Sequence, residues 1–197
     1  MNSNADPSLA PPGAGLPPIE LFVARTLFRL LARTGNRGSF NARFTREREA
    51  IRRLADSRDA TVAATRVLIK RLPGMEDSSR NWSIWMTLDH LRIVNHGIAK
   101  TIASLAKEIT PPGKASIAAV KPSPGADASV VAGYENSCDA LLAAVAAAPN
   151  LKTNVRFTHP WFGPLDAAGW HAMAATHLGI HRRQIEQILK KLPAARR

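Results

Sequence analysis

The sequence predicts an all-α fold, a four-helix bundle with an extra amphipathic helix at its N-terminus. Three observations carry that expectation. Long stretches without helix breakers are separated by clusters such as Pro73-Gly74, Pro111-Pro112-Gly113 and Pro149-Asn150. Within those stretches apolar residues recur at helical spacing, and no segment is rich in strand pattern or repeats itself. The chain has 197 residues, 45% of them hydrophobic and 21% charged, which suits one domain with a full core.

Residues 1–18, rich in Pro, Gly, Ala and Asn, read as a mobile tail. Residues 19–33 form a short helix on which Arg25, Arg29 and Arg33 recur every four positions as a cationic stripe. Leu21, Phe22, Val23, Leu27, Phe28, Leu30 and Leu31 cover most of its remaining circumference. Such a helix needs cover from its own bundle, from a partner chain or from an anionic membrane surface. Residues 34–40, with two glycines, complete this N-terminal unit (19–40) as a linker.

The bundle is expected over 41–192. Its first helix runs from residue 41 or 45 to 72, with Ile51, Leu54, Val62, Ile69 and Leu72 on one stripe. The second opens near Asn81 or Ser83 and runs to 109. Ile84, Leu88, Leu91, Ile98, Ile102 and Leu105 form its main stripe, and Met86, His90 and Val94 a second line about 100° round. After a Pro-rich loop (110–126), an alanine-rich third helix covers 127–148. A structured turn around His159-Pro160-Trp161-Phe162-Gly163-Pro164 precedes the fourth helix, which is capped by Asp166 and runs to 192. Residues 193–197 are a basic tail.

The formal charge of +12 raises the question of nucleic acid, but its distribution answers against a specific one. Residues 1–75 carry 13 Lys and Arg against 6 acids, and residues 76–197 carry 14 against 9. No basic run is interleaved with aromatics, and no helix-turn-helix or RNA-binding motif is present. Cys138 is the sole cysteine, so any metal site must use His and carboxylates. It follows Ser137 with Glu135 and Asp139 nearby, an environment for a small core residue rather than a reactive thiol. The opening has no basic stretch followed by an apolar run, and the most apolar candidate span, 21–32, is broken by Arg25 and Arg29. Cytoplasm is the expected compartment.

His177 and His181 lie four apart on the fourth helix, so their rings leave one face about 40° apart and can reach one metal ion. Trp170, Met173 and Ile188 continue the same line, which marks it as inward-facing. His90 is the best third donor because it sits on an apolar line, whereas His96 and His171 point elsewhere on their helices. His159, in the turn, is expected to hydrogen-bond backbone. Three neutral imidazoles leave coordination positions open, as in a catalytic site. Zn, Ni, Fe and Mn all accept such ligands. No residue stands out as a general base: Asp89 and Glu186 should point away, and Arg182 and Arg183 read mainly as solvated charges.

Two stretches carry a family resemblance. One is Asn81-Trp82-Ser83-Ile84-Trp85 leading to Asp89-His90-Leu91; the other runs from His159-Pro160-Trp161-Phe162-Gly163-Pro164-Leu165-Asp166 through Trp170 to His177, His181 and Gln184. In these the chain resembles the DinB-like superfamily of metal-binding four-helix bundles, which includes bacillithiol- and mycothiol-dependent transferases and isomerases. The resemblance implies metal ligands at His90, His177 and His181, and covers about 41–192. It implies a divalent-metal-dependent enzyme, a thiol S-transferase or hydrolase, acting on a small-molecule substrate with a low-molecular-weight thiol as cofactor. The competing expectation is a non-catalytic metal-binding or interaction module. There the helix of 19–33 would pair two chains as a homodimer or make peripheral contact with a membrane.

Overall fold

A computed structural model describes residues 7–193. Along the chain lie helices α1 (Pro18–Thr34), α2 (Arg37–Ala55) and α3 (Ala60–Ala63), strands β1 (Val67–Leu68) and β2 (Asn81–Trp82), helices α4 (Ile84–Leu105) and α5 (Val130–Ala147), strands β3 (Phe157–His159) and β4 (Gly163–Leu165), and helix α6 (Ala167–Leu189). The four bundle helices are α2, α4, α5 and α6: α4 packs along both α5 and α6, and α2 lies along α6. The expected all-α bundle with an additional N-terminal helix is therefore present.

The stripes read from the sequence become the core. Ile84, Leu88, Leu91, Ile98, Ile102 and Leu105 are all buried on α4, facing Leu141 and Val145 of α5 and Leu178, Ile185 and Ile188 of α6. Both anticipated caps form. The Ser83 hydroxyl accepts from the Met86 amide at 3.1 Å, and the Asp166 carboxylate accepts from the Gly169 amide at 2.8 Å. These caps satisfy amides that the helix itself leaves unpaired, and so set where α4 and α6 begin.

The expected helix over 41–72 is corrected at both ends. Asn36 and Ser39 form a reciprocal capping box, which starts α2 at Arg37 inside the supposed linker. The helix then ends at Ala55, where the Ser57 hydroxyl takes the Leu54 carbonyl. Asp56, Ser57 and Asp59 offer the backbone local partners that compete with helix, and the following Thr, Val and Ile residues favour extended chain. Ile69, assigned to a helical stripe, is buried instead beside a short ladder in which Val67 pairs with Trp82 and Leu68 with Asn81. A second ladder pairs Phe157 with Leu165 and His159 with Gly163, where the turn needs the positive φ of 75° that glycine provides. Short strands therefore exist in two of the three bundle connections, α2–α4 and α5–α6, too brief to register as a sequence pattern.

Residues 7–17, expected within a mobile tail, lie against the connection before α4. The amides of Gly13 and Gly15, both at positive φ, donate to the two oxygens of the Glu76 carboxylate, and the Ala10 amide donates to Asp77. The remainder of that tail, residues 1–6, and the basic residues 194–197 lie outside the described residues. Helix α1 is held by a two-point ion pair between Glu20 and Arg71, by Arg25 donating to the Trp161 carbonyl, and by Phe28 stacked on Phe162 at 4.4 Å. The Arg71 guanidinium holds the Glu20 carboxyl below the usual carboxylate range. No described helix is long and apolar enough to cross a membrane.

His171 on α6 is fully buried, edge-on to the Phe40 ring, and neither ring nitrogen has a hydrogen-bond partner. Burial, aided by the Arg37 charge, lowers its pKa to about 4. An unfolded histidine takes its proton near 6.5, so this group's contribution is complete above that pH and is lost as the pH falls towards about 4. Between about pH 7 and about pH 5, His171→Leu should remove on the order of 2 kcal/mol of the acid-linked loss of stability. Urea midpoints at the two pH values measure it; an unchanged pH dependence in the variant contradicts the assignment.

Candidate metal centre

His90 stands on α4 two turns after the Ser83 cap, and His177 and His181 stand one turn apart on α6. Because the caps fix where each helix starts, they also fix which face these positions occupy. Across the α4–α6 interface the three rings meet. His177 Nε2 lies 3.1 Å from His90 Nε2 and 3.0 Å from His181 Nε2, and the ring centroids of His90 and His181 are 4.7 Å apart. These three form the only described group of its kind able to hold a metal ion, with one donor atom from each within 4.8 Å of the others. The ligand set expected from the sequence is thus brought together.

The surrounding hydrogen bonds decide which nitrogens are free to bind. His90 Nδ1 lies 2.6 Å from the Val120 carbonyl, which can only accept, so Nδ1 carries the proton and Nε2 a lone pair. His181 Nδ1 lies 2.6 Å from Gln184 Oε1, and the Gln184 amide is oriented by donating its Nε2 hydrogen to the Ser79 carbonyl at 2.7 Å. His181 Nε2 is therefore also a bare acceptor. Two lone pairs thus face His177 Nε2, which has at most one proton to offer them. His177 Nδ1 has no partner, leaving that tautomer free to change. A tetrahedral ion with bonds of about 2.0–2.1 Å sets its nitrogen ligands about 3.3–3.4 Å apart, close to the 3.1 and 3.0 Å of the two pairs that His177 makes. The residues fit a divalent metal.

All three rings are neutral at physiological pH, as ligands must be. Burial lowers the His90 pKa to about 4. Burial first, then the neighbouring imidazoles, push His177 and His181 well below the usual histidine value. His90 and His181 are buried, while His177 lies deep but keeps part of its ring open to a cavity of about 630 Å³. Trp82 backs the group, parallel to the His181 ring at 6.0 Å and tilted on His90 at 5.1 Å. The Lys121 ammonium lies 5.4 Å from the centre of the Trp82 ring and donates to the Ser78 carbonyl.

The cavity separates α1 from the α4–α6 face and is walled at one end by the 157–162 turn. His159 lines it without joining the metal group. Its Nδ1 accepts from the Trp161 and Phe162 amides at 3.1 and 3.3 Å, the backbone role expected of it. That leaves the proton on Nε2, so the ring is a hydrogen-bond donor. Burial lowers its pKa to about 4. Asp89 and Glu186 do point away: Asp89 binds Arg92 and the Ser123 amide, and Glu186 binds Arg182. Arg182 is tied to Glu47 as well, while Arg183 reaches the cavity. Cys138 is buried, and burial pushes its thiol up to about 12.

Sequence reasoning quoted Gln184 only as part of a motif and missed Val120 and Ser79. Their contribution is made by main-chain carbonyls or across 105 positions of chain, and neither leaves a side-chain signature. Arg43, on a helix whose start was misplaced, was missed as a cavity residue; its charge alone gave no direction.

Among solved structures, the chain is similar to TT2238, described as a four-helix bundle protein, with 20% sequence identity and a TM-score of 0.58. The match covers 77% of this chain and 98% of that one, and at this identity it speaks to the fold. No curated protein matches the sequence. The family model of the DinB superfamily matches residues 43–185, and the chain accordingly belongs to the DinB superfamily.

Proposed function

We propose that the chain is a divalent-metal-dependent enzyme that acts on a small molecule in the cavity beneath α1, as a thiol S-transferase or a hydrolase. The observation that carries this reading is the convergence of three neutral imidazole Nε2 atoms at the cavity wall. Zn, Ni, Fe or Mn held there supplies Lewis acidity, which makes a water or a low-molecular-weight thiol nucleophilic near neutral pH. His90, His177 and His181 would hold the ion, and the Val120 carbonyl and Gln184 fix the orientation of two of the rings. Phe28 and Phe162, stacked on one another, give the cavity an aromatic wall. His159 serves as a donor: taking up a further proton at Nδ1 would break its bonds to the 161 and 162 amides. The lining carboxylates Glu20 and Glu76 are engaged by Arg71 and by main-chain amides, so neither is free as a base.

Purified protein should contain close to one divalent ion per chain by elemental analysis. His177→Ala should lose most of it, and Gln184→Met should weaken metal affinity roughly 10–100-fold while the helical circular dichroism is retained. Folded, metal-free wild-type protein, under metal-replete expression, contradicts the reading.

A second, non-catalytic reading rests on the outer face of α1. Ile19, Phe22, Leu27 and Leu30 are 81%, 70%, 62% and 60% exposed, and the exposed Arg29 and Arg33 flank them. An apolar face edged by arginines suits peripheral contact of residues 19–33 with an anionic membrane surface. Flotation with phosphatidylserine-containing vesicles should be salt-sensitive and lost in Phe22→Ser/Leu30→Ser. Concentration-dependent dimerisation with no flotation would instead make a second copy of the chain, a homodimer, the occupant of that face.

A further inference from the structure

The cavity has a chemical polarity that the metal reading does not use. Its walls are largely apolar, including Phe28, Leu31, Phe162, Trp170, Met173 and Ile180. At about 630 Å³ it has the size of a site that encloses most of a small organic ligand. Five charged side chains line it: Glu20, Glu76, Arg43, Lys114 and Arg183. The two carboxylates are consumed, Glu20 by Arg71 and the Gly74 amide, Glu76 by the Gly13, Gly15 and Ser78 donors. None of the three cations forms an ion pair among the described residues, although Glu47 lies near Arg43. The charge that the cavity offers a ligand is therefore positive.

Arg43 is the informative one. It is half-buried on α2, yet its guanidinium makes no hydrogen bond to the described protein. It lies against the backbone of α6, where Nη2 would stand 3.7 Å from a Cβ placed on Gly179, one turn before Arg183. Of the nearby Glu47 carboxylate, Oε2 is taken by Arg182 at 2.5 Å, while Oε1 lies near the same Gly179 position without forming an ion pair with Arg43. A guanidinium with five donors and no hydrogen-bond partner favours an incoming anion, and two arginines from α2 and α6 that line one cavity suit a carboxylate. We propose that the cavity takes an amphiphilic carboxylate: an apolar chain or ring lies beneath α1, and its carboxylate is received by Arg43 and Arg183. This deepens, and for the fate of the ligand rests on, the metal-dependent reading; the binding preference itself stands on the cavity.

Calorimetric titration of the full-length protein as purified tests it, with decanoate, decan-1-ol and decyltrimethylammonium as probes sharing one apolar chain. Decanoate should bind at least roughly tenfold more tightly than the alcohol, and the ammonium more weakly still. Arg43→Met/Arg183→Met should lose that preference for decanoate while leaving affinity for the alcohol unchanged. Gly97→Phe should block all three probes, since Gly97 lines the cavity and a side chain there meets open space rather than other atoms. Equal binding of the three probes, or no binding, overturns the proposal. So does decanoate affinity that survives loss of both arginines, the result expected if the carboxylate were held at the histidines. Metal content measured on the same samples keeps the two readings apart: selective decanoate binding by metal-free protein would sink the metal reading alone, and metal-loaded protein without selectivity would sink this one alone.

Discussion

Three imidazole lone pairs turned towards one point repel one another, and neutral rings shut away from water have too few protons to relieve all of them. Holding them there requires outside restraint, and a few buried hydrogen bonds supply it. The Val120 carbonyl fixes His90, and Gln184, itself oriented by the Ser79 carbonyl, fixes His181. These bonds tie the loop before α5 and the turn before α4 to the site, so connections that look like spacers set the tautomers of two of the rings. Burial at the α4–α6 seam then keeps the rings uncharged over the physiological range, which is the protonation state a metal needs.

The parts of the chain outside the bundle belong to the same constraint. Here α1, Leu16 and the 157–162 turn line a cavity beside the cluster. Helix α1 is held there by few but specific contacts: Glu20 with Arg71, Arg25 with a main-chain carbonyl, and one aromatic stack. The inner face of α1 is spent on that lining and its outer face remains apolar and exposed.

The bundle was legible because the stripes of α4 and α6 run for five turns or more, and because Ser83 and Asp166 announce their starts. The histidine cluster was legible for the same reason: once two long helices are in register, the i, i+4 pair and the one histidine on an apolar line face each other. The break at 56–59 was not, since the apolar residues beyond it kept to a helical spacing although Asp and Ser ended the helix locally. Nor was the seating of residues 7–17, where glycines that usually signal freedom instead present two amides to one carboxylate. The partnerless state of Arg43 was also invisible, because it depends on where the nearby acids are already engaged. Membership of the DinB superfamily bears out the resemblance drawn from the two motif stretches.

The central claim is that His90, His177 and His181 together bind one ion through Nε2. Anomalous diffraction from crystals of the purified protein, recorded on both sides of the absorption edge of the metal it contains, addresses this directly. The account predicts a single peak at about 2.0–2.2 Å from all three Nε2 atoms. A peak bonded to other groups, or rings still clustered with no peak between them, would contradict it.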